Sequence, residues 1–283
     1  MTAGRGEMKA PGRVMHITSL ANPIVKEIRG LALAKNRRAS RLFVAEGLKL
    51  VADALDGTWR LRHLVHAARV ANEGLVERIS TISVARGANV ISVSEPVLEK
   101  IARRENPQTV IGVFEQKLTR IGDIRPGPGD VYVALEAVRD PGNLGTIIRT
   151  VDAVGGKGVI LVGDTVDPFS VEAVRATMGS IFHVPLTRAT HAEFDALRAR
   201  WPNPGAVVGT HLAATIDYRK ADYRLPVLLV MGGEQAGLTP ALAAACGTLV
   251  RIPMAGRADS LNLAVATGVM LYEAMRGRLA VDG

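Results

Sequence analysis

The chain has 283 residues, 48% hydrophobic and 22% charged, with a net charge of +8 at pH 7; this excludes a disordered chain and biases a globular protein toward polyanions. No apolar run reaches the roughly 18 residues of a membrane-spanning helix, and the small, basic opening MTAGRGEMKAPGR lacks a secretory apolar stretch and reads as a frayed tail. One cysteine and six scattered histidines exclude an internal disulfide and a multi-cysteine metal site, and point to a reducing, cytoplasmic setting with no metal.

Apolar residues at Ile24, Val25, Ile28, Leu31 and Leu33, with basic residues between them, predict an amphipathic helix from Asn22 to Asn36. RLFVAEG then reads as a strand, LKLVADAL as a helix, LRHLVHA as a second strand and ANEGLVERISTISVARG as mainly helix. NVISVS is a third strand, PVLEKIARR a short helix and TVIGVFEQ a fourth strand. Alternation of this kind predicts an α/β domain. His63 and His66 share LRHLVHA without a carboxylate or thiol nearby, so they are read as strand residues. Basic clusters at Lys35 to Arg41, at Arg60 and Arg62, and at Lys100 to Arg104 all fall in this half. They make a phosphate-facing surface there credible.

LTRIGDIRPGPGD has no periodicity and is rich in proline and glycine, which marks a linker at residues 119–130. The second half repeats the alternation. VYVALEAV, KGVILVG, GAVVGTHL, PVLLVMGGE and LVRIPM read as strands. NLGTIIRTVDAVG, SVEAVRATMG and THAEFDALRARW read as helices, with Asn143 a candidate cap of the first. SLNLAVATGVMLYEAMRGR closes the chain as a long helix, with Ser260 its expected N-cap. Cys246, in the alanine-rich LTPALAAACG, is expected to be a small buried thiol.

In three segments of this half an apolar strand gives way to Gly, Asn, Ser or Glu: DPGNLGTIIR, MGGEQAGL and IPMAGRADSLNLA. Loops at the carboxyl ends of strands are where open α/β sheets bind ligands. No G-x-G-x-x-G follows the first strand of either half, and there is no P-loop and no G-x-S-x-G nucleophile elbow. Residue patterns alone therefore reach a ligand-binding α/β domain joined to a basic α/β domain, with the ligand open.

In order, the three segments resemble the motifs of the SpoU/TrmH branch of the SPOUT superfamily, the RNA ribose methyltransferases. The first is an N-x-G-x-x-x-R pattern matched by Asn143, Gly145 and Arg149. The second is G-x-E-x-x-G-L, matched by Gly232, Glu234, Gly237 and Leu238. The third is a proline, a glycine and then Ser-Leu-Asn, matched by Pro253, Gly256, Ser260, Leu261 and Asn262. An intermediate stretch of the family resembles VRATMGSIFHVP. FVAEGLKLVADAL and NPQTVIGVF are similar to the small RNA-binding domain that precedes the catalytic domain in many members.

The resemblance implies a C-terminal trefoil-knotted SPOUT methyltransferase domain at residues 131–283, after an α/β RNA substrate-binding domain at 15–118 and a tail at 1–14. It implies S-adenosyl-L-methionine (SAM) held by Thr210, His211 and Leu212, by Met231, Gly232, Gly233 and Glu234, and by Ile252, Met254 and Leu261. It implies catalytic roles for Asn143, Arg149, Glu234, Ser260 and Asn262. Arg149 is expected to grip a phosphate, and Glu234 to accept a hydrogen bond from Arg149 or Asn143. Arg37, Arg38, Arg41, Arg103, Arg104 and Arg175 are the expected RNA contacts. The implied partners are structured RNA, ribosomal before transfer RNA, and a second copy of the chain. The copy would pack on the closing helix through Leu263, Val265, Val269, Leu271 and Met275. A transfer-RNA enzyme and a silent RNA-binding assembly factor are the alternatives.

Overall fold

Short apolar runs bounded by glycine, asparagine or charged residues become strands in both halves of the chain. The computed structural model describes residues 10–203 and 205–279. The chain divides into two units, Met1–Gln116 with Phe169–Val171, and Lys117–Pro168 with Glu172–Gly283. Residues 1–9 of the expected tail lie outside the described residues.

In the first unit the elements run β1 (Val14–Ile17), α1 (Pro23–Gly30), α2 (Ala34–Ser40), β2 (Leu42–Glu46), α3 (Leu48–Asp56), β3 (Leu61–Ala67), α4 (Gly74–Ala85), β4 (Asn89–Val93), α5 (Glu95–Ala102) and β5 (Val110–Glu115). Among the described residues they build a sheet in the order β1-β4-β3-β5-β2, with β1, β4 and β3 parallel and β5 antiparallel to both neighbours. Phe43, Leu64, Ile91, Ile111 and Phe114 fill its core. VMHI had not been read as a strand. Its apolar signal is weak because it is an edge, fixed by pairing of Val14 to Ile17 with Val90 to Val93. The Gly12 and Arg13 amides hold its approach, donating to Val84 O (2.9 Å) and Asn89 Oδ1 (3.1 Å).

The expected helix from Asn22 to Asn36 is instead two helices, broken at Leu31 to Leu33. The cause is Arg37. It is only 4% exposed, and its Nη1 donates to Leu31 O (2.7 Å) and Ala32 O (2.9 Å). These are carbonyls that the end of α1 leaves without helical donors. Arg37 is thus a buried cap and leaves the set of expected RNA contacts. The side chains of Arg38, Arg41 and Arg103 are exposed and make no hydrogen bond or ion pair among the described residues. Arg104 Nε lies 3.6 Å from the buried Glu46 carboxylate.

The second unit runs β6 (Val131–Glu136), α6 (Pro141–Ala153), β7 (Gly158–Val162), α7 (Val171–Ala176), β8 (Leu186–Ala189), α8 (His191–Ala199), β9 (Ala206–Thr210), β10 (Ile216–Asp217), β11 (Val227–Met231), α9 (Pro240–Ala245), β12 (Thr248–Arg251) and α10 (Leu263–Ala274). All pairings among the described strands are parallel, in the order β10-β12-β9-β11-β6-β7-β8. Helices on both faces bury β6, β7 and β11 end to end, which is why those strands read as continuous apolar runs. β8 and β10 carry little sequence signal because LTRA is half polar and Ile216–Asp217 is only two residues long. α9 does too, although Thr239 caps it and Pro240 opens it.

Three local expectations need correction. Asp140, not Asn143, caps α6, and Asn262, not Ser260, caps α10. Cys246 is half-buried rather than fully buried. Its Sγ donates to Leu242 O (3.3 Å), and burial pushes the thiol up to about 11, a protonated form unsuited to nucleophilic work.

The first unit yields two predictions. Arg37→Ala should lose about 3 kcal/mol in urea unfolding, because buried carbonyls lose a charged donor. Arg38→Ala should stay within about 0.5 kcal/mol of wild type, and equal small losses would contradict the capping role. The second concerns His63, which is 4% exposed with no partner for Nδ1 among the described residues. Burial, reinforced by the Arg62 charge, pushes it from 6.5 down to about 4. Between those values only the unfolded chain takes up this proton. The stability is therefore complete above pH 6.5 and falls as pH drops toward 4. His63→Gln should flatten that stretch of the stability-pH curve, and an unchanged slope would refute the assignment.

Candidate active site

The strand order sets the carboxyl ends of β12, β9, β11 and β6 side by side, so the loops that follow them share one edge. At the start of α6, Asp140 Oδ1 accepts from the Asn143 amide at 2.6 Å and sets Asn143 in the first turn. Asn143 Nδ2 donates to Glu234 Oε1 (3.1 Å), in the loop after β11. Asn143 Oδ1 accepts from Asn262 Nδ2 (2.9 Å), at the start of α10. The amide orientations are forced. A carboxylate only accepts, and Asn262 Oδ1 already caps Ala264 N (2.9 Å) and Val265 N (3.3 Å). Each of the three sequence segments thus contributes one side chain to a continuous chain of hydrogen bonds.

Glu234 also accepts from the Arg139 and Asp140 amides, both at 3.3 Å. Burial pushes its carboxyl up, but the backbone donors and Asn143 outweigh this and hold it below the ordinary carboxylate range. The loop that carries Glu234 is folded back on itself, with the Gly237 amide donating to Gly233 O at 3.0 Å. A Cβ on Gly232 would stand 2.0 Å from the Gly237 carbonyl carbon, and Gly237 has φ +66°. Only glycine meets both demands without strain. Gly145 serves packing, since a Cβ there would lie 2.4 Å from Ala176 Cβ.

The other expected site residues divide. Thr210 closes β9 with its hydroxyl 3.7 Å from Met231 Sδ. The His211 amide donates to Val250 O (2.9 Å), and its ring accepts from Ala213 N (3.1 Å), which tightens the turn after β9. Leu212 is 63% and Met254 37% exposed, Ile252 and Leu261 are half-buried, and Met231 is buried at the strand end. Ser260 is exposed and makes no hydrogen bond among the described residues. Arg149 is exposed on α6, about 9 Å along the helix from Asn143. It does not bond Glu234, which takes Asn143 instead. Arg175 is exposed on α7. Asp140 was missed, although Asp-Pro before a helical run is a cap signal.

The model of the SpoU rRNA Methylase family matches residues 130–272, and that of the MRM3-like substrate binding domain matches 22–112. An AdoMet-bound rRNA methyltransferase from Sinorhizobium meliloti is 54% identical, covering 95% of this chain and 100% of its own, with a TM-score of 0.90. A 23S rRNA (uridine(2479)-2'-O)-methyltransferase of Streptomyces viridochromogenes is 31% identical over 99% of this chain and 98% of its own length. A 23S rRNA (guanosine(2553)-2'-O)-methyltransferase of Bacillus subtilis is 31% identical over 92% and 99%.

The carboxyl of Glu234 offers a direct reading of the hydrogen-bond chain. Followed by NMR, its titration should lie below the ordinary carboxylate range in wild type and move up in Asn143→Ala. The loop stability it supplies is present at neutral pH and lost as pH falls through its lowered midpoint. A midpoint unmoved by Asn143→Ala would show that the amide gives no support.

Proposed function

Because the chain belongs to the SpoU rRNA Methylase family, we propose that it transfers a methyl group from SAM to a ribose 2′-hydroxyl in ribosomal RNA. The observation that carries this reading is the hydrogen-bonded chain Glu234–Asn143–Asn262, which unites the three motifs at one sheet edge. The relatives named for 23S rRNA 2′-O-methylation support the substrate class, and their different target bases leave the nucleotide to be mapped. The work is assigned to the cytoplasm. Among the described residues no helix is long and apolar enough to cross a membrane.

The residues at this edge fit SAM. Leu212 and Met254 are left open to solvent and Ile252 and Leu261 are half-buried in the segments after β9 and β12, apolar side chains suited to an adenine. Gly232 and Gly233 let the loop after β11 close on the backbones of Gly237 and Ala137, which fixes the shape it offers the cofactor. When bound, SAM supplies an electrophilic methyl group.

The chain's own residues then hold the hydroxyl in line and manage its charge. Alignment is the main source of rate in such a displacement. Asn143, fixed at both ends of its amide, presents a rigid polar wall to the ribose. Glu234 keeps that amide in its one orientation. Ser260, without a partner among the described residues, has its hydroxyl free for the substrate. Arg149 has no protein partner among the described residues and is reserved for the phosphate beside the reacting sugar. There it also stabilises the developing alkoxide. A guanidinium does not give up its proton, so the base is phosphate or water rather than Arg149.

The RNA grip is assigned to Arg38, Arg41 and Arg103, with Arg104 tied to Glu46 and Arg175 nearer the motifs in sequence. A homodimer through α10 completes the reading. That helix is apolar over most of its circumference, with Glu273 its one charged residue. Leu263 and Leu271 face the unit's own core and leave the expected docking set. Val265 (53% exposed) and Tyr272 (55%) remain on the open face, with Val269 and Met275 half-buried.

The test is transfer of labelled methyl from SAM to total RNA that lacks this modification. Wild type should fix label in ribosomal RNA as an alkali-resistant dinucleotide. Arg149→Ala and Arg149→Lys should each lose on the order of 100-fold or more in rate, since a lysine cannot reproduce the planar fork. Near-normal turnover by Arg149→Lys would contradict its role, and label in transfer RNA alone would contradict the substrate.

A further inference from the structure

A second carboxylate at the same sheet edge has no place in the chemistry above. Glu136 is the last residue of β6, and it is 2% exposed. Its Oε2 accepts from the Thr239 amide (2.8 Å). Its Oε1 accepts from Thr239 Oγ1 (2.9 Å) and stands 3.0 Å from His191 Nε2. Thr239 is the residue at which the loop from Gly232 to Leu238 ends and α9 begins, and its hydroxyl caps Leu242 N. Glu136 therefore ties down the exit of the loop whose entrance is held by β11.

The two carboxylates cross. Glu136 reaches from the end of β6 to the exit of the loop after β11. Glu234 reaches from that loop back to the amides of Arg139 and Asp140, just beyond Glu136. Between them Ala137 sits at φ +52°, a left-handed conformation costly for a residue with a Cβ. A Cβ on Gly233 would stand 3.2 Å from Ala137 O, so the two loops press on one another at this point. His191 closes the arrangement from α8. Its ring packs over Gly163 at φ +72°, where a Cβ would lie 2.7 Å from Cε1. A buried carboxylate is expensive to desolvate, and an apolar side chain of similar size would serve a core as well. A carboxyl kept here, with the Thr239 amide, the Thr239 hydroxyl and the His191 ring converging on it, points to geometry rather than packing.

We propose that Glu136 is a positioning residue for SAM binding, holding the loop from Gly232 to Leu238 in its binding shape through Thr239 and braced by His191. The proposal rests on the reading that this loop forms part of the SAM site. It acts through the loop's backbone, so it touches neither cofactor nor RNA.

The test is SAM affinity of the full-length protein by calorimetry, with thermal midpoints recorded alongside. Glu136→Ala should weaken SAM about tenfold, as expected when the buried hydrogen bonds at the loop's exit are lost together. Glu136→Gln keeps an acceptor for the Thr239 amide and sets its NH2 against the Thr239 hydroxyl and His191 Nε2, both of which can turn to accept, and should stay within about threefold of wild type. Thr239→Val, which removes only the hydroxyl, should weaken SAM about threefold. Phe194→Leu, a core change on α8, controls for stability and should lower the midpoint without weakening SAM. Wild-type affinity in Glu136→Ala, or an equal loss in Phe194→Leu, overturns the proposal. If Glu136→Ala does not fold, wild-type affinity in Thr239→Val overturns it instead. Wild type that binds no SAM refutes the cofactor reading itself, a result distinct from wild type that binds SAM while Glu136→Ala binds it equally well.

Discussion

The amide of Asn143 is the joint on which the second unit's site depends. It spends its donor on Glu234 and its acceptor on Asn262. Three stretches of chain far apart in sequence therefore share one geometry. Neither partner can rotate freely, because Glu234 is also held by two backbone amides and Asn262 is also a helix cap. The capping requirement of α10 and the polar wall of the site are met by the same side chain. An amide bonded at both ends in this way keeps a single orientation, which is the kind of preorganisation a displacement at carbon needs.

The sheet explains why this joint sits where it does. A parallel sheet covered on both faces leaves only its two ends for polar loops, and parallel β12, β9, β11 and β6 direct all their carboxyl ends to one of them. The apolar strands supply a fixed base. Glycines at 232 and 237 let the loop after β11 turn back without strain. A few polar side chains then line that end of the sheet, and the first unit carries Arg38, Arg41 and Arg103 exposed.

Much of this was legible in the sequence, for physical reasons. Strands buried on both faces announce themselves as apolar runs, which makes β6, β7 and β11 readable, whereas the partly buried β9 and β12 are legible only through their short valine and leucine runs. Edges are not. VMHI and Ile216–Asp217 are made strands by their neighbours rather than by their own residues. The pattern of Gly, Asn, Glu and Ser after strands singles out the three segments, and the resemblance to the SpoU/TrmH motifs singles out Asn143, Glu234 and Asn262 within them. Their bonding was not readable, because which amide bonds which carboxylate depends on strand order. Arg37 shows the opposite error. A basic cluster looks uniformly solvated in one dimension, and only the break after α1 turns one of its arginines inward. Glu136 left no trace at all, since a glutamate ending a strand carries no signal of the three donors that meet it.

The central claim is that one side chain couples the loops after β6, β11 and β12. Amide hydrogen exchange in wild type and Asn143→Ala tests it most directly. The account predicts that the Gly232–Leu238 loop and the first turn of α10 lose protection together, while β2 to β5 of the first unit stay unchanged. Loss confined to the first turn of α6, with both other segments as protected as in wild type, would contradict the coupling and leave the three motifs merely adjacent.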